Sequence, residues 1–181
     1  VLFQAGLYVP GTSARISPVD KLFTHFPKEE ERRVDEGRLG EELRELSEIV
    51  DNVTSYSMVL LNESLSSTSA YDSLIISENL MKAFRTIGLR AIFSTHLHEL
   101  AYQTDEINSE VSGNSKIIGL CSQVKKITEN GKTKHVSTYK IIPAMTDGKS
   151  YASDIAWKYG MSYEQLMERF SHHHALNSNE Q

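Results

Sequence analysis

The sequence predicts an α/β fold: a mixed, largely parallel sheet flanked by helices, with an added β-hairpin. Three observations carry this expectation. Strand, helix and strand follow one another between Met58 and Thr95 in the order of a parallel βαβ unit. Leu39, Leu43, Leu46, Ile49, Val50 and Val53 recur at steps of three and four, the spacing that lines one side of a helix. Finally, two β-rich runs flank Asn130-Gly131, a pair that favours the tight turn of a hairpin.

Taken in order, "GLYVPGTSARIS" (Gly6 to Ser17) mixes β-formers with Pro10 and Gly11 and reads as a short strand or an extended segment around a turn. "PVDKLFTHF" reads as a further strand near the surface, and Tyr8, Phe23 and Phe26 as core aromatics. From Lys28 to Glu48 charges of both signs dominate, with acids in excess, the pattern of a solvated loop and helix face. The helix expected from about Leu39 to Val53 begins beside Gly37 and Gly40, where backbone N–H groups can face an anion.

Met58 to Leu61 is too short and too uniformly apolar for an amphipathic helix, so it is expected as a strand covered on both faces. "SLIISENLMKAFRTIG" places Ile76, Leu80, Ala83, Phe84 and Ile87 on one helical face and ends at Gly88, a natural C-terminal stop. "RAIFST" (Arg90 to Thr95) is expected as a second buried strand. Beyond the hairpin, "KSYASDIAWKYG" predicts a helix ended by Gly160. Ser162 with Gln165 then makes a capping box for a last helix through about Phe170. The tail from Ser171, with its run His172 to His174, is polar and expected to fray.

At 181 residues the chain is long enough for one sizeable core, and one domain over 1–170 followed by the tail 171–181 is expected. A formal net charge of -5 argues against a free-standing binder of polyanions, because Lys and Arg contacts to phosphate dominate nonspecific nucleic-acid affinity. The single Cys121 excludes a disulfide within the chain. No apolar run approaches the roughly 20 residues that cross a bilayer, so no membrane association and a cytoplasmic location are expected.

The chemistry concentrates in "SMVLLNESLSSTSAYD" (Ser57 to Asp72). A buried strand ending in an acidic pair is how nucleoside-triphosphatases set one carboxylate near a Mg²⁺ shell and another where it orients water. Here the pair is Asn62-Glu63. The second strand ends in Thr95-His96, which brings His96 to the carboxyl end of the same sheet, the edge where open α/β folds bind ligands. His96 and His98 show no full metal-ligand set, since Cys121 has no partner at zinc spacing.

The order of "AGLYVPGTSARISPVDKLFTHF", "SMVLLNESLSSTSAYD", "IFSTHLHELA", "YKIIPA" and "KSYASDIAWKYGMS" resembles the ATPase domain of the MutS family, which belongs to the ABC-type ATPases with a P-loop NTPase fold. The resemblance runs from about Ala5 to Phe170. It implies that Asn62 and Glu63 occupy the Walker B pair, with Asn62 reaching the metal through water. It further implies that Ser66 to Asp72 is the D-loop, that His96 is the switch histidine facing the γ-phosphate, and that Thr95 lies at the nucleotide. The dimer-facing residues would be Gly37, Arg38, Gly40 and Glu42, with Ser67, Thr68, Ser69 and Asp72. ATP and Mg²⁺ are the implied cofactors of the intact protein. Its implied partners are a second copy or a MutS-like protomer, and DNA through other domains.

Four departures qualify these expectations. No G-x-x-x-x-G-K followed by Ser or Thr occurs; in the family that loop lies upstream, and this chain alone is expected to bind ATP poorly and hydrolyse none. Asn62 stands where the metal-associated aspartate is expected, and an amide brings no negative charge, so metal affinity falls. "EGRLGEEL" replaces the Ser-Thr signature of the composite site, leaving Gly37, Gly40 and the helix dipole, with Arg38 as the available substitute. "LSSTSAYDS" lacks the glycines and arginine of "GRGTSTYDG". A divergent branch follows. The competing expectation is a noncatalytic, ATPase-derived module used for dimerisation.

Overall fold

A computed structural model of the chain describes residues 1–26, 37–129, 132–143 and 156–172. It divides into two compact units, Val1–Gly119 and Leu120–Gln181. The expected Asn130-Gly131 turn, the run 149–155, most of the charged loop before Gly37, and His173 and His174 lie outside the described residues.

In the first unit, strand β1 (Leu22–His25), helix α1 (Gly37–Asn52), strand β2 (Met58–Asn62), helix α2 (Ala70–Ile87) and strand β3 (Arg90–Ser94) follow one another. Short helices α3 (His98–Tyr102) and α4 (Thr104–Glu110) close the unit. The strands form a three-stranded sheet in the order β1-β2-β3, parallel throughout, with His25 opposite Leu61 and Asn62 opposite Ser94. The expected α/β architecture with a parallel sheet is present.

The central strand carries the core. Val59 and Leu61 are buried on β2, and Leu46, Ile49, Met81, Phe84, Leu89, Leu100 and Ile107 close around them. Burying one such side chain stabilises the fold by about 1.5–3 kcal/mol. Residues 6–17 hold no strand, and the chain bends at 10–12. Strand β1 starts where Asp20 accepts from Thr54 Oγ1 at 2.6 Å and Ser57 Oγ at 2.9 Å, which ties its entry to that of β2.

Several expectations about burial are corrected. Strand β3 is present, but Ile92 is 57% exposed, because among the described residues nothing pairs with its outer edge. Strand β1 also lies at an edge, yet His25 is buried. Tyr8 is fully exposed and Phe26 half so, leaving Phe23 as the one of the three aromatics that packs on the core. On α2 the buried line is Ser73, Ser77, Met81 and Phe84, while Ile87 is exposed and Ile76 and Leu80 only partly buried. The side chains of least volume, rather than the most apolar, let the first half of this helix approach closely.

Helix α2 ends as expected at Gly88, whose φ of 79° lets its N–H turn back to the Phe84 and Arg85 carbonyls. Arg85 in turn donates to the backbone oxygens of Asn108, Val111 and Ser115, which fastens the segment after α4 onto α2.

The second unit contains the antiparallel hairpin of β4 (Leu120–Glu129) and β5 (Lys132–Pro143). Its register shifts between Ser122 and Val124, opposite Tyr139, which has a φ of 58°. A helical turn at 156–158 ends at Gly160: the N–H groups of Gly160 and Met161 return to the Trp157 and Ala156 carbonyls, a Schellman closure. The last helix, α5 (Tyr163–His172), opens with the expected capping box, Ser162 and Gln165 exchanging side-chain-to-backbone bonds at 3.3 Å. Helical backbone continues two residues past the expected end at Phe170.

Candidate functional site

Parallel pairing of β2 with β3 puts Asn62 beside Ser94, so the residues that leave these strands emerge at one edge of the sheet. Glu63 follows β2 immediately, and its N–H donates to the Ser94 carbonyl at 2.8 Å, extending the ladder by one bond. His96 follows β3 by two residues. The imidazole Nε2 of His96 lies 3.3 Å from Glu63 Oε1, with the His96 side chain 89% and the Glu63 side chain 28% exposed. Thr95 sits between them in the second turn, where its Oγ1 accepts from the Leu97 N–H at 3.1 Å.

Glu63 is held in an uncommon backbone conformation. Its φ is 49°, and that of Leu65 is 67°, both in the left-handed region that favours glycine. Each such residue costs of order 1–3 kcal/mol and persists where its surroundings hold it. Three holds are visible beyond the Ser94 bond. Leu65 is fully buried, Ser73 Oγ donates to its carbonyl at 2.6 Å, and buried Ser64 Oγ lies 2.7 Å from His25 Nδ1.

The turn after Leu65 leads into α2. Ser69 caps that helix, accepting from the Asp72 N–H at 3.2 Å while donating to the Asp72 carboxylate at 2.7 Å. Both are exposed, Thr68 is half-buried, and Ser67 donates to Glu42 Oε2 at 2.9 Å. Glu42 also lies 3.9 Å from Arg38 Nε on the same helix. Thus Glu42, expected to face a partner, is engaged by Ser67 of its own chain. Gly37 and Arg38 are exposed at the start of α1, and Gly40 is half-buried.

The structure therefore brings Asn62, Glu63, Thr95 and His96 to one edge, and α1 against the turn Ser64 to Asp72. It does not bring His98 into a metal set: among the described residues no group of three metal-ligating side chains occurs. The oxygen donors offered at the edge, one amide and one carboxylate, fit a Mg²⁺ ion that keeps most of its shell as water and phosphate oxygen. A cavity of about 630 Å³ lies elsewhere, between β1 and α1, with Phe23, His25, Arg44 and Glu45 on its wall.

Sequence reasoning missed His25, Ser64 and Glu45. Their one visible signal was a lone histidine closing an apolar strand, and nothing in the sequence tells which element such a ring will face.

Comparison with known proteins identifies the family. The family model described as MutS domain V matches residues 1–175. The chain is 32% identical over 170 residues to a DNA mismatch repair protein MutS of Carboxydothermus hydrogenoformans, covering 93% of this chain and 19% of that protein. It is 32% identical over 162 residues to the protein of that name in Chlorobium limicola (89% and 17%), and 30% identical over 162 residues to that of Chlorobium chlorochromatii (89% and 17%). The chain thus spans less than a fifth of the length of these curated relatives.

Proposed function

Since this chain belongs to the MutS family, matching its domain V along nearly its whole length, we propose that the intact protein is a DNA-bound ATPase of mismatch repair. In this reading residues 1–170 are part of the ATPase domain and 171–181 a tail. ATP and Mg²⁺ bind at a composite interface with a second copy or a MutS-like protomer, and DNA is held by other parts of the protein.

The observation that carries the reading is the 3.3 Å approach of His96 to Glu63 on a strained turn at the carboxyl end of β2. A carboxylate–imidazole pair whose imidazole is exposed contributes little to stability, so strain kept at such a place points to chemistry. Glu63 accepts a hydrogen bond from the attacking water and orients it. His96, at the end of the neighbouring strand, faces the γ-phosphate and donates to it as negative charge develops. Asn62 supports the metal shell through water, and Thr95 lies at the nucleotide. Mg²⁺, when bound, offsets phosphate charge. Gly37, Arg38 and Gly40 at the start of α1, with Ser69 and Asp72, are offered to the partner, the backbone N–H groups and the helix dipole doing the work of the family's missing serine.

A second reading has specific support. Asn62 brings no charge where the family has a carboxylate, and the Ser-Thr signature is gone. Both suit a noncatalytic module that dimerises. ATP turnover by the full-length protein, with Glu63→Gln as control, separates the two: Glu63-dependent hydrolysis supports the ATPase, and nucleotide binding without it supports the module.

A further inference from the structure

How Glu63 is held has a second layer, whose interpretation rests on the ATPase reading above. Glu42 and Glu45 stand three residues apart on α1 and so share a face. Glu42 reaches Ser67 directly at 2.9 Å. Glu45 Oε2 lies 3.6 Å from His25 Nε2, and His25 Nδ1 lies 2.7 Å from Ser64 Oγ. One helix face therefore meets both ends of the turn Ser64 to Ser67, at one end through an imidazole.

Geometry and burial make this link selective. Both His25 and Ser64 are 4% exposed, and a buried hydroxyl without a partner costs about 1–3 kcal/mol. A carboxylate near Nε2 favours the tautomer with its proton there, which leaves Nδ1 to accept from the Ser64 hydroxyl. Register places the ring: His25 pairs with Leu61, three residues before Ser64. Ser64 is bonded to Glu63, so a displacement of its hydroxyl turns the backbone that aims the Glu63 carboxylate.

We propose that His25 is a positioning residue for Glu63, transmitting the seating of α1 to the carboxylate that orients water. His25 touches no reacting atom. Because the N-terminus of α1 is the part offered to a partner protomer, docking there sets Glu63 through Glu45, His25 and Ser64.

The test uses the full-length protein with Mg²⁺ and ATP. Glu45→Ala and Ser64→Ala each break one end of the link without adding bulk; alanine is chosen since a glutamine at 45 would still accept from the imidazole. Each is expected to lower kcat roughly tenfold, the scale of a sub-ångström misplacement, with KM held within about twofold. Ser64→Thr, which keeps the hydroxyl, retains the rate. The double variant loses no more than the worse single one, since both break the same chain. Losses that multiply, a change confined to KM, or an unaltered kcat in Glu45→Ala overturn the proposal. Glu45 is a third exposed, so that variant keeps the test decisive if a replacement at Ser64 fails to fold. Nucleotide binding with no hydrolysis that Glu63→Gln abolishes instead sinks the ATPase reading and this proposal together.

Discussion

The hydroxyl of Ser73 donates to the carbonyl oxygen of Leu65 at 2.6 Å, joining the first turn of α2 to the strained residue two positions after Glu63. The bond closes a short circuit: β2 ends, the chain reverses through two left-handed residues, and the helix that follows clasps the reversal. Both partners are buried. Strain at Leu65 is thus balanced by the burial of its own side chain.

That balance predicts an inverted order of substitutions. Removing a buried leucine costs about 2–5 kcal/mol, whereas glycine at a φ of 67° recovers about 1–2 kcal/mol of backbone strain that alanine keeps. Leu65→Gly is therefore expected to melt at the same temperature as Leu65→Ala or above it, with both below the unsubstituted protein. A thermal midpoint for the glycine variant well below that of alanine would show the turn to be unstrained.

At His96 the exposed side chain separates stability from activity. His96→Ala is expected to leave the melting temperature nearly unmoved, because exposed pairs stabilise by at most about 1 kcal/mol. ATP turnover of the full-length protein is expected to fall about 10²-fold or more with loss of the donor proposed to face the γ-phosphate. A large fall in melting temperature with turnover retained would make the pair structural.

Asn62 offers a gain rather than a loss. In the proposed metal shell, a carboxylate introduced by Asn62→Asp roughly doubles the strength of the bond to a metal-bound water, so the Mg²⁺ concentration for half-maximal nucleotide binding is expected to drop severalfold. Titration with a fluorescent ATP analogue reads this directly. No change would place Asn62 outside the metal shell.

Acid stability tests the entry of the sheet. The Thr54 hydroxyl is the largest influence on the Asp20 carboxyl and desolvation, which opposes it, the second; with the Ser57 hydroxyl and the backbone and charge of Lys21 added, the carboxyl is held below its usual range. A depressed carboxylate contributes stability above its unfolded pKa, near about 3.9 for aspartate, and loses it as pH falls through the lower folded value. Asp20→Asn is therefore expected to melt lower than the unsubstituted protein at neutral pH, with the gap closing below about pH 4. A gap independent of pH would remove the carboxylate from the account.

Elements were legible in the sequence where a local rule decides them. Gly88 and Gly160 stop helices because only a left-handed residue turns the chain there, and the capping box of Ser162 with Gln165 appears as read. The approach of Glu63 to His96 was legible as well, since parallel neighbours in register must deliver their ends to one edge. What no local rule decides is burial. Apolar periodicity on α2 pointed to Ile76, Leu80 and Ile87, yet Ser73 and Ser77 are the residues buried most completely, because close approach rewards small volume. The link from His25 to Ser64 was hidden for a like reason, as it depends on which strand lies beside β2 and in what register.

The flank of β3 away from β2, unpaired among the described residues, has a practical consequence for anyone handling this polypeptide by itself. Along Arg90–Ser94 a row of amide and carbonyl groups on the side away from β2 meets no strand among the described residues, and Ile92 stands exposed beside it. Such a border recruits other chains by strand addition. Preparations of residues 1–181 should therefore become cloudy as they are concentrated, and charge placed at Ile92, through Ile92→Lys, should clear them.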